Sequence, residues 1–210
     1  MSDPSHSPAA RRRCSQCQRP AGHCLCHLLP HITARTRILV IQHPDEQRHA
    51  LNTARLLVAG LAGAELIVAE RLPQQWGDQL LDPAWHTELL FPGADASPLQ
   101  ASAADDRPRR LVLLDGTWRK ARKLLYLNPV LQQLPQVALP AGLRSRYRLR
   151  KAPSAEALST IEAGMQALQM LEPAVDFSPL LVPFDALIEG QIRAMGETVY
   201  QRNHGTPRPD

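Results

Sequence analysis

The chain has 210 residues, 44% of them apolar, which suits one compact domain with a real core and a small appendage. Aromatic residues are scarce at 4% while proline reaches 19 residues, which favours a loop-rich surface over a base-stacking platform. The formal charge is +4, but between Arg107 and Lys151 twelve Lys or Arg face one acid, Asp115, a local excess that suits contact with a polyanion. The longest apolar run, Leu56 to Ala64, lies between Arg55 and Glu65 and falls short of the roughly 20 apolar residues a membrane span needs. Arg11-Arg12-Arg13 is followed by cysteines and polar residues instead of an apolar signal region, so a cytoplasmic protein is expected.

Residues 1–12, rich in Ser, Pro and Arg, read as a disordered tail. Residues 13–30 hold all four cysteines, as Cys14-x2-Cys17-x6-Cys24-x-Cys26. Thiols this dense, with no export signal, suit a structural zinc, which takes four tetrahedral thiolate or imidazole ligands. His23 and His27 are alternative ligands beside the tight Cys24-x-Cys26 pair, and two disulfides or free thiols are the other readings. So short a segment buries no core, and bound metal would supply its folding energy. With Arg11, Arg12, Arg13 and Arg19 nearby, it could also help grip RNA.

Arg37 to Gln42 (RILVIQ) reads as a strand ended by His43-Pro44. Ala50, Ala54, Leu57, Val58 and Leu61 recur at helical spacing and predict a helix over 48–62. Glu65 to Ala69, Glu88 to Phe91, Leu111 to Leu114 and Gln136 to Leu139 read as buried strands. Helices are expected over 117–127, 160–171 and 181–200, a mobile loop over 93–108, and a flexible tail over 203–210. Strands apolar on both faces and spaced by helices argue an α/β fold over 31–202, a mostly parallel sheet with helices on both faces.

Asp115-Gly116-Thr117-Trp118 follows the LVLL strand and opens the basic helix that carries Arg119 and Arg122. Ligands of open α/β sheets sit beyond the carboxyl ends of strands, which is where Asp115 falls. Asp115 or Thr117 could equally cap the helix, with Trp118 in the core. Ser159-Thr160-Ile161-Glu162 fits a capping box at the start of a helix, a structural explanation complete without function. The same helix start offers free N–H groups to an anionic ligand atom. On an extended segment Arg144, Arg146, Arg148 and Arg150 would line one side, followed by Lys151, which suits a phosphate-facing edge.

Taken together these segments resemble the DTW-domain proteins, the tRNA-uridine aminocarboxypropyltransferases. The resemblance spans nearly the whole chain. It rests on the cysteine cluster, Gln42-His43-Pro44-x-Glu46, Asn52-Thr53-Ala54-Arg55-Leu56, Leu90-Phe91-Pro92-Gly93 and the naming motif Asp115-x-Thr117-Trp118. It continues through Tyr147-x-x-Arg150-Lys151-Ala152-Pro153 to Ser159-Thr160-x-Glu162-Ala163. The order and spacing of these segments are specific where each alone is weak.

The resemblance implies a fold related to the SPOUT class of RNA methyltransferases, a class that includes C-terminal trefoil knots. It implies S-adenosylmethionine as donor of a 3-amino-3-carboxypropyl group to N3 of a uridine in tRNA. Asp115, Thr117 and Trp118 become the expected catalytic residues. Leu114, Asp115, Trp118, Leu158, Ser159, Thr160 and Glu162 become the expected cofactor contacts, with Glu162 facing its amino group. Arg119, Arg122, Arg144, Arg146, Arg148, Arg150 and Lys151 are the expected RNA contacts, and Cys14, Cys17, Cys24 and Cys26 the zinc ligands. The rival functions are an RNA methyltransferase on the same scaffold, an rRNA-directed aminocarboxypropyltransferase, and a non-catalytic zinc-containing RNA-binding protein. The oligomeric state is not legible in the sequence.

Overall fold

The computed structural model describes residues 12–101, 106–149 and 157–204. Most of both expected tails, together with Arg150 and Lys151, lie outside the described residues. The first half of the chain forms β1 (Ile32–Thr33), β2 (Arg37–Gln42), α1 (Thr53–Gly60), β3 (Leu61–Ala62), β4 (Glu65–Val68), α2 (Gln74–Leu80) and β5 (His86–Leu90). The second half forms β6 (Ser97–Pro98), β7 (Arg109–Asp115), α3 (Trp118–Leu127), α4 (Pro129–Gln132), β8 (Gln136–Ala138), α5 (Thr160–Leu171), α6 (Leu181–Met195) and α7 (Glu197–His204).

Six strands make one parallel sheet in the order β4-β2-β7-β5-β8-β6, and β1 pairs with β3 in a small separate ladder. Strands β2 and β7 are apolar on both sides because both sides are covered. Ile38 and Val40 of β2 and Leu111 and Leu113 of β7 pack with α1, α5 and α6. Their neighbours Leu39, Ile41 and Val112 pack against α2, α3 and α4. The expected α/β architecture with a mostly parallel sheet is therefore present, and one cluster of core residues lies on each side of it.

Several boundaries move for identifiable reasons. The helix expected from residue 48 starts at Thr53, where Asn52 caps it by accepting a bond from the Arg55 N–H at 3.1 Å. The helix expected over 181–200 breaks at Gly196, whose φ of 84° ends α6 before α7 begins. That second helix continues through residue 204, into the stretch expected to be a tail. Within the expected loop over 93–108, Ser97 and Pro98 pair with β8 as the edge strand β6. Helix α2 went unforeseen because it is short, polar and interrupted by Gly77, and within it Leu80 alone is buried. Among the described residues no helix is long and apolar enough to cross a membrane.

Two buried carboxylates tie the layers together. Glu172, at the end of α5, accepts from the backbone N–H groups of Arg35 at 3.0 Å and Thr36 at 2.7 Å, fixing the entry to β2. Glu162, 2% exposed, receives four donors. They are Ser145 Oγ at 2.9 Å, Arg146 N at 2.6 Å, Ser159 N at 2.8 Å and Ser159 Oγ at 2.6 Å. The 143–149 segment is thereby pinned against the start of α5.

Candidate active site

A cavity of about 410 Å³ opens at the carboxyl ends of β5, β7 and β8. That volume lies within the roughly 300–1,000 Å³ of small-molecule sites, and ligands of parallel sheets bind at this rim. Its walls come from four segments that the sequence separates widely. These are Leu90 to Pro92 after β5, Leu113 to Trp118 around the end of β7, Ala138 to Leu143 after β8, and Ala157 to Ala163 at the start of α5. The surface is mostly aliphatic, with Trp118 as its large ring and the Thr160 hydroxyl as a polar group. Trp118 is held edge-to-face against Phe91, with centroids 6.0 Å apart, so it serves as both core and wall.

Asp115 stands directly behind this wall, 8% exposed, between Leu114 and Gly116, which both line the cavity. It does not cap α3. Thr117 does, accepting from the Lys120 N–H at 3.4 Å. The Asp115 carboxylate instead accepts from Gln42 Nε2 at 2.8 Å through Oδ2, and from the Thr160 hydroxyl through Oδ1. Gln42 is the register partner of Asp115 on the adjacent strand, so sheet pairing alone places the two side by side. Gln42 also donates to Asn52 Oδ1 at 3.2 Å, and Asn52 Nδ2 donates to the carbonyl of Glu46 at 3.1 Å. Lys120 of α3 closes the loop of contacts by donating to Glu46 Oε1 at 2.8 Å. The Asp115 N–H is part of β7, and its carbonyl accepts from the His43 N–H at 3.0 Å.

Of the expected cofactor contacts, Leu114, Trp118, Leu158 and Thr160 line the cavity. Asp115, Ser159 and Glu162 lie behind the wall, and both carboxylates are engaged by protein donors. The Ser159–Glu162 capping box forms as its spacing predicts. Gln42 and Asn52 were part of the recognisable segments but had no role that spacing could supply, because the carboxylate they serve is 73 and 63 positions away.

The cationic segments sit around this site in different states. Arg119, Arg122 and Arg144 are exposed. Arg146 pairs with Asp185 of α6 at 2.7 Å, and Arg148 pairs with Glu189 one turn further on. The segment is not uniformly extended, since the Arg148 N–H donates to the Arg146 carbonyl at 2.9 Å in a tight turn.

At the other end of the chain, the sulfurs of Cys14, Cys17, Cys24 and Cys26 all lie within 4.8 Å of one another. Cys14 and Cys26 sulfurs are 3.6 Å apart, Cys17 and Cys24 sulfurs 3.8 Å. A tetrahedron with metal–sulfur arms of about 2.3 Å has edges of roughly 3.8 Å, whereas a disulfide needs about 2.05 Å. All four are free thiols, and His23 and His27 point to solvent outside the group. Backbone N–H groups of Cys17 and Gln16 pull the Cys14 thiol down to about 6, while burial pushes the Cys26 thiol up. A cation among the sulfurs is what would let all four ionise together, so the donor set fits a closed metal site. Leu25 and Cys26 pack on the main core, and Arg19 donates to the Ala50 carbonyl at 2.8 Å, joining the segment to the domain.

The family model described as DTW domain matches residues 11–192, from the cysteine segment to the end region of α6. The chain belongs to the DTW-domain family. Among curated relatives of this DTW protein is a tRNA-uridine aminocarboxypropyltransferase 2 from Drosophila melanogaster. It is 32% identical over 216 residues, covering 96% of this chain and 86% of that one. A protein of the same name from Mus musculus is 33% identical over 192 residues, covering 87% of this chain and 64% of the relative. A tRNA-uridine aminocarboxypropyltransferase A from Arabidopsis thaliana is 30% identical over 205 residues, covering 82% and 77%. No solved structure matches the chain.

Proposed function

We propose that this DTW protein is a cytoplasmic tRNA-uridine aminocarboxypropyltransferase that uses S-adenosylmethionine to modify N3 of a uridine. The observation that carries the reading is the cavity at the carboxyl rim of the sheet. Its walls contain the residues flanking Asp115 and the hydroxyl that bonds to it. Relatives in a fly and a plant, covered to 86% and 77% of their length, bear this functional name, which supports the reaction type.

The cavity suits the donor in size and chemistry: an aliphatic slot for a purine ring, with polar groups at the α5 start. Leu114, Trp118, Leu158 and Thr160 would hold it. When bound, it supplies a carbon activated by the neighbouring sulfonium. The chain supplies the rest. Asp115, its carboxylate plane fixed by Gln42 and Thr160, would take the N3 proton of the uracil by way of the Thr160 hydroxyl. That hydroxyl passes its own proton to Oδ1 as it receives that of N3. Trp118 excludes water and places a ring, while Thr117 holds the start of α3 in register. Ser159 and Glu162 act one layer back, by shaping the wall that Leu158 and Thr160 present.

Zinc bound by Cys14, Cys17, Cys24 and Cys26 would be structural, since four thiolates leave no open position. We read 13–30 as this metal segment and 31–202 as the catalytic unit, related to the SPOUT class. The parallel sheet and the wrapping of the cavity by the 138–143 and 157–163 segments support that relation. Arg119, Arg122 and Arg144, with Arg146, Arg148, Arg150 and Lys151, would face tRNA phosphates.

The test is purified protein with unmodified tRNA and labelled donor. Methylthioadenosine as co-product and aminocarboxypropyl-uridine in the digested tRNA are expected. S-adenosylhomocysteine as co-product would identify a methyltransferase instead, and tRNA binding with no turnover would identify a non-catalytic RNA-binding protein.

A further inference from the structure

Helix α3 starts at the cavity wall with Trp118 and turns one face to solvent. Arg119, Arg122, Lys123 and Tyr126 stand at i, i+3, i+4 and i+7, the spacing of one helical face, and all four are exposed. Ala121 and Leu124 occupy the buried face. Tyr126 is 78% exposed, far more than the other exposed large apolar side chains Leu81 and Val182. Neither packing nor helix propensity accounts for a bare aromatic ring at this position, since tyrosine is a middling helix former. Lys123 is paired with Glu70, but Arg119 and Arg122 have no ion pair among the described residues. Arg71 extends the strip by reaching the Leu127 carbonyl at the end of the helix.

We propose that this face of α3 receives an unpaired stretch of the substrate RNA, with phosphates on Arg119 and Arg122 and one base stacked on Tyr126. The proposal rests on the tRNA reading given above and deepens it. Cations alone would bind any phosphate backbone, paired or not. An exposed ring adds something that a duplex cannot use, because its bases already stack on one another and only splayed bases offer a free face. Eight residues at about 1.5 Å each place Tyr126 roughly 12 Å along the helix from Trp118. The stacked base is therefore a near neighbour of the uridine at the cavity, and holding it unstacked helps the target leave its own stack.

The experiment measures binding of the full chain to transcribed tRNA and to a fully paired RNA duplex, at several salt concentrations. Tyr126→Ala and Tyr126→Gln are expected to weaken tRNA binding roughly tenfold while leaving duplex binding and the salt slope unchanged. Tyr126→Phe is expected to bind like the parent. Arg119→Ala with Arg122→Ala is expected to weaken both RNAs and to lower the salt slope by about one per arginine. Parental tRNA affinity in both Tyr126→Ala and Tyr126→Gln, or equal losses on tRNA and duplex, would overturn the stacking assignment while leaving transfer activity intact. A parent protein that neither binds tRNA nor modifies it would overturn the functional reading and this one with it.

Discussion

Gln42 Nε2 lies 2.8 Å from Asp115 Oδ2, between residues that are register partners at the carboxyl ends of adjacent parallel strands. The contact is buried and the side chain of Gln42 is wholly shielded from solvent. An amide donor at this point keeps the carboxylate in one orientation without adding a charge.

Replacing the amide by a carboxylate tests that arrangement. Gln42→Glu puts two acids in hydrogen-bond contact, and one of them must hold a proton. Turnover is expected to fall at least tenfold, consistent with the about 1.5–3 kcal/mol of a hydrogen bond to a charged group. The acid limb of the pH–rate profile is expected to move upward. Gln42→Leu should lose rate without that movement. Circular dichroism separates either effect from misfolding, and an unaltered pH profile in a folded Gln42→Glu protein would disprove the positioning role.

Glu162 is expected to act through the cavity's shape. Glu162→Ala removes the acceptor of four donors, leaving the two of Ser159 buried and those of Ser145 and Arg146 partly buried. A loss of about 2–4 kcal/mol in stability is expected, seen as a melting temperature about 5–15 °C lower. Donor affinity measured by calorimetry should drop with it. Unchanged melting with lost donor binding would mean that Glu162 touches the ligand directly.

For the cysteine centre, the expected metal content is one zinc per chain by atomic emission, lost in Cys17→Ser and Cys26→Ser. Chelation should unfold the 13–30 segment, visible as new protease cleavage there. In the folded segment backbone N–H groups of Cys17 and Gln16 hold the Cys14 thiol at about 6 instead of 9.0. Its stabilising contribution is complete above about pH 9 and disappears as pH falls through about 6. Alkylation of Cys14 by iodoacetamide should be suppressed when metal is bound and appear once chelation opens the segment, with the midpoint of an ordinary thiol.

Close helix contact makes a purely structural prediction. A Cβ at Gly164 of α5 would meet Leu57 Cδ2 at 2.5 Å, and Leu57 is fully buried in α1. Gly164→Val is expected to cost about 3 kcal/mol by overpacking. Adding Leu57→Ala should return part of it, and strict additivity of the two losses in urea unfolding would refute the contact.

The sequence by itself determined the parallel α/β class, the four-thiol centre and the family. Those features live in short-range signals: apolar strands such as RILVIQ and LVLL, a dense cysteine spacing, and motifs read in order. It also carried the Ser159–Glu162 capping box, because a cap depends on residues three positions apart. It left Asp115 with two roles, cap or ligand, since both are compatible with a strand end before a helix. Tertiary structure removed the cap, which Thr117 supplies, by bringing Gln42 and Thr160, 73 and 45 positions away, onto the two carboxylate oxygens of Asp115. It likewise gave Glu162 its four donors and put Arg146 and Arg148 against the acids of α6. Strand order and register set these meetings, and periodicity in a single chain reports which face a residue occupies but not which distant residue shares it.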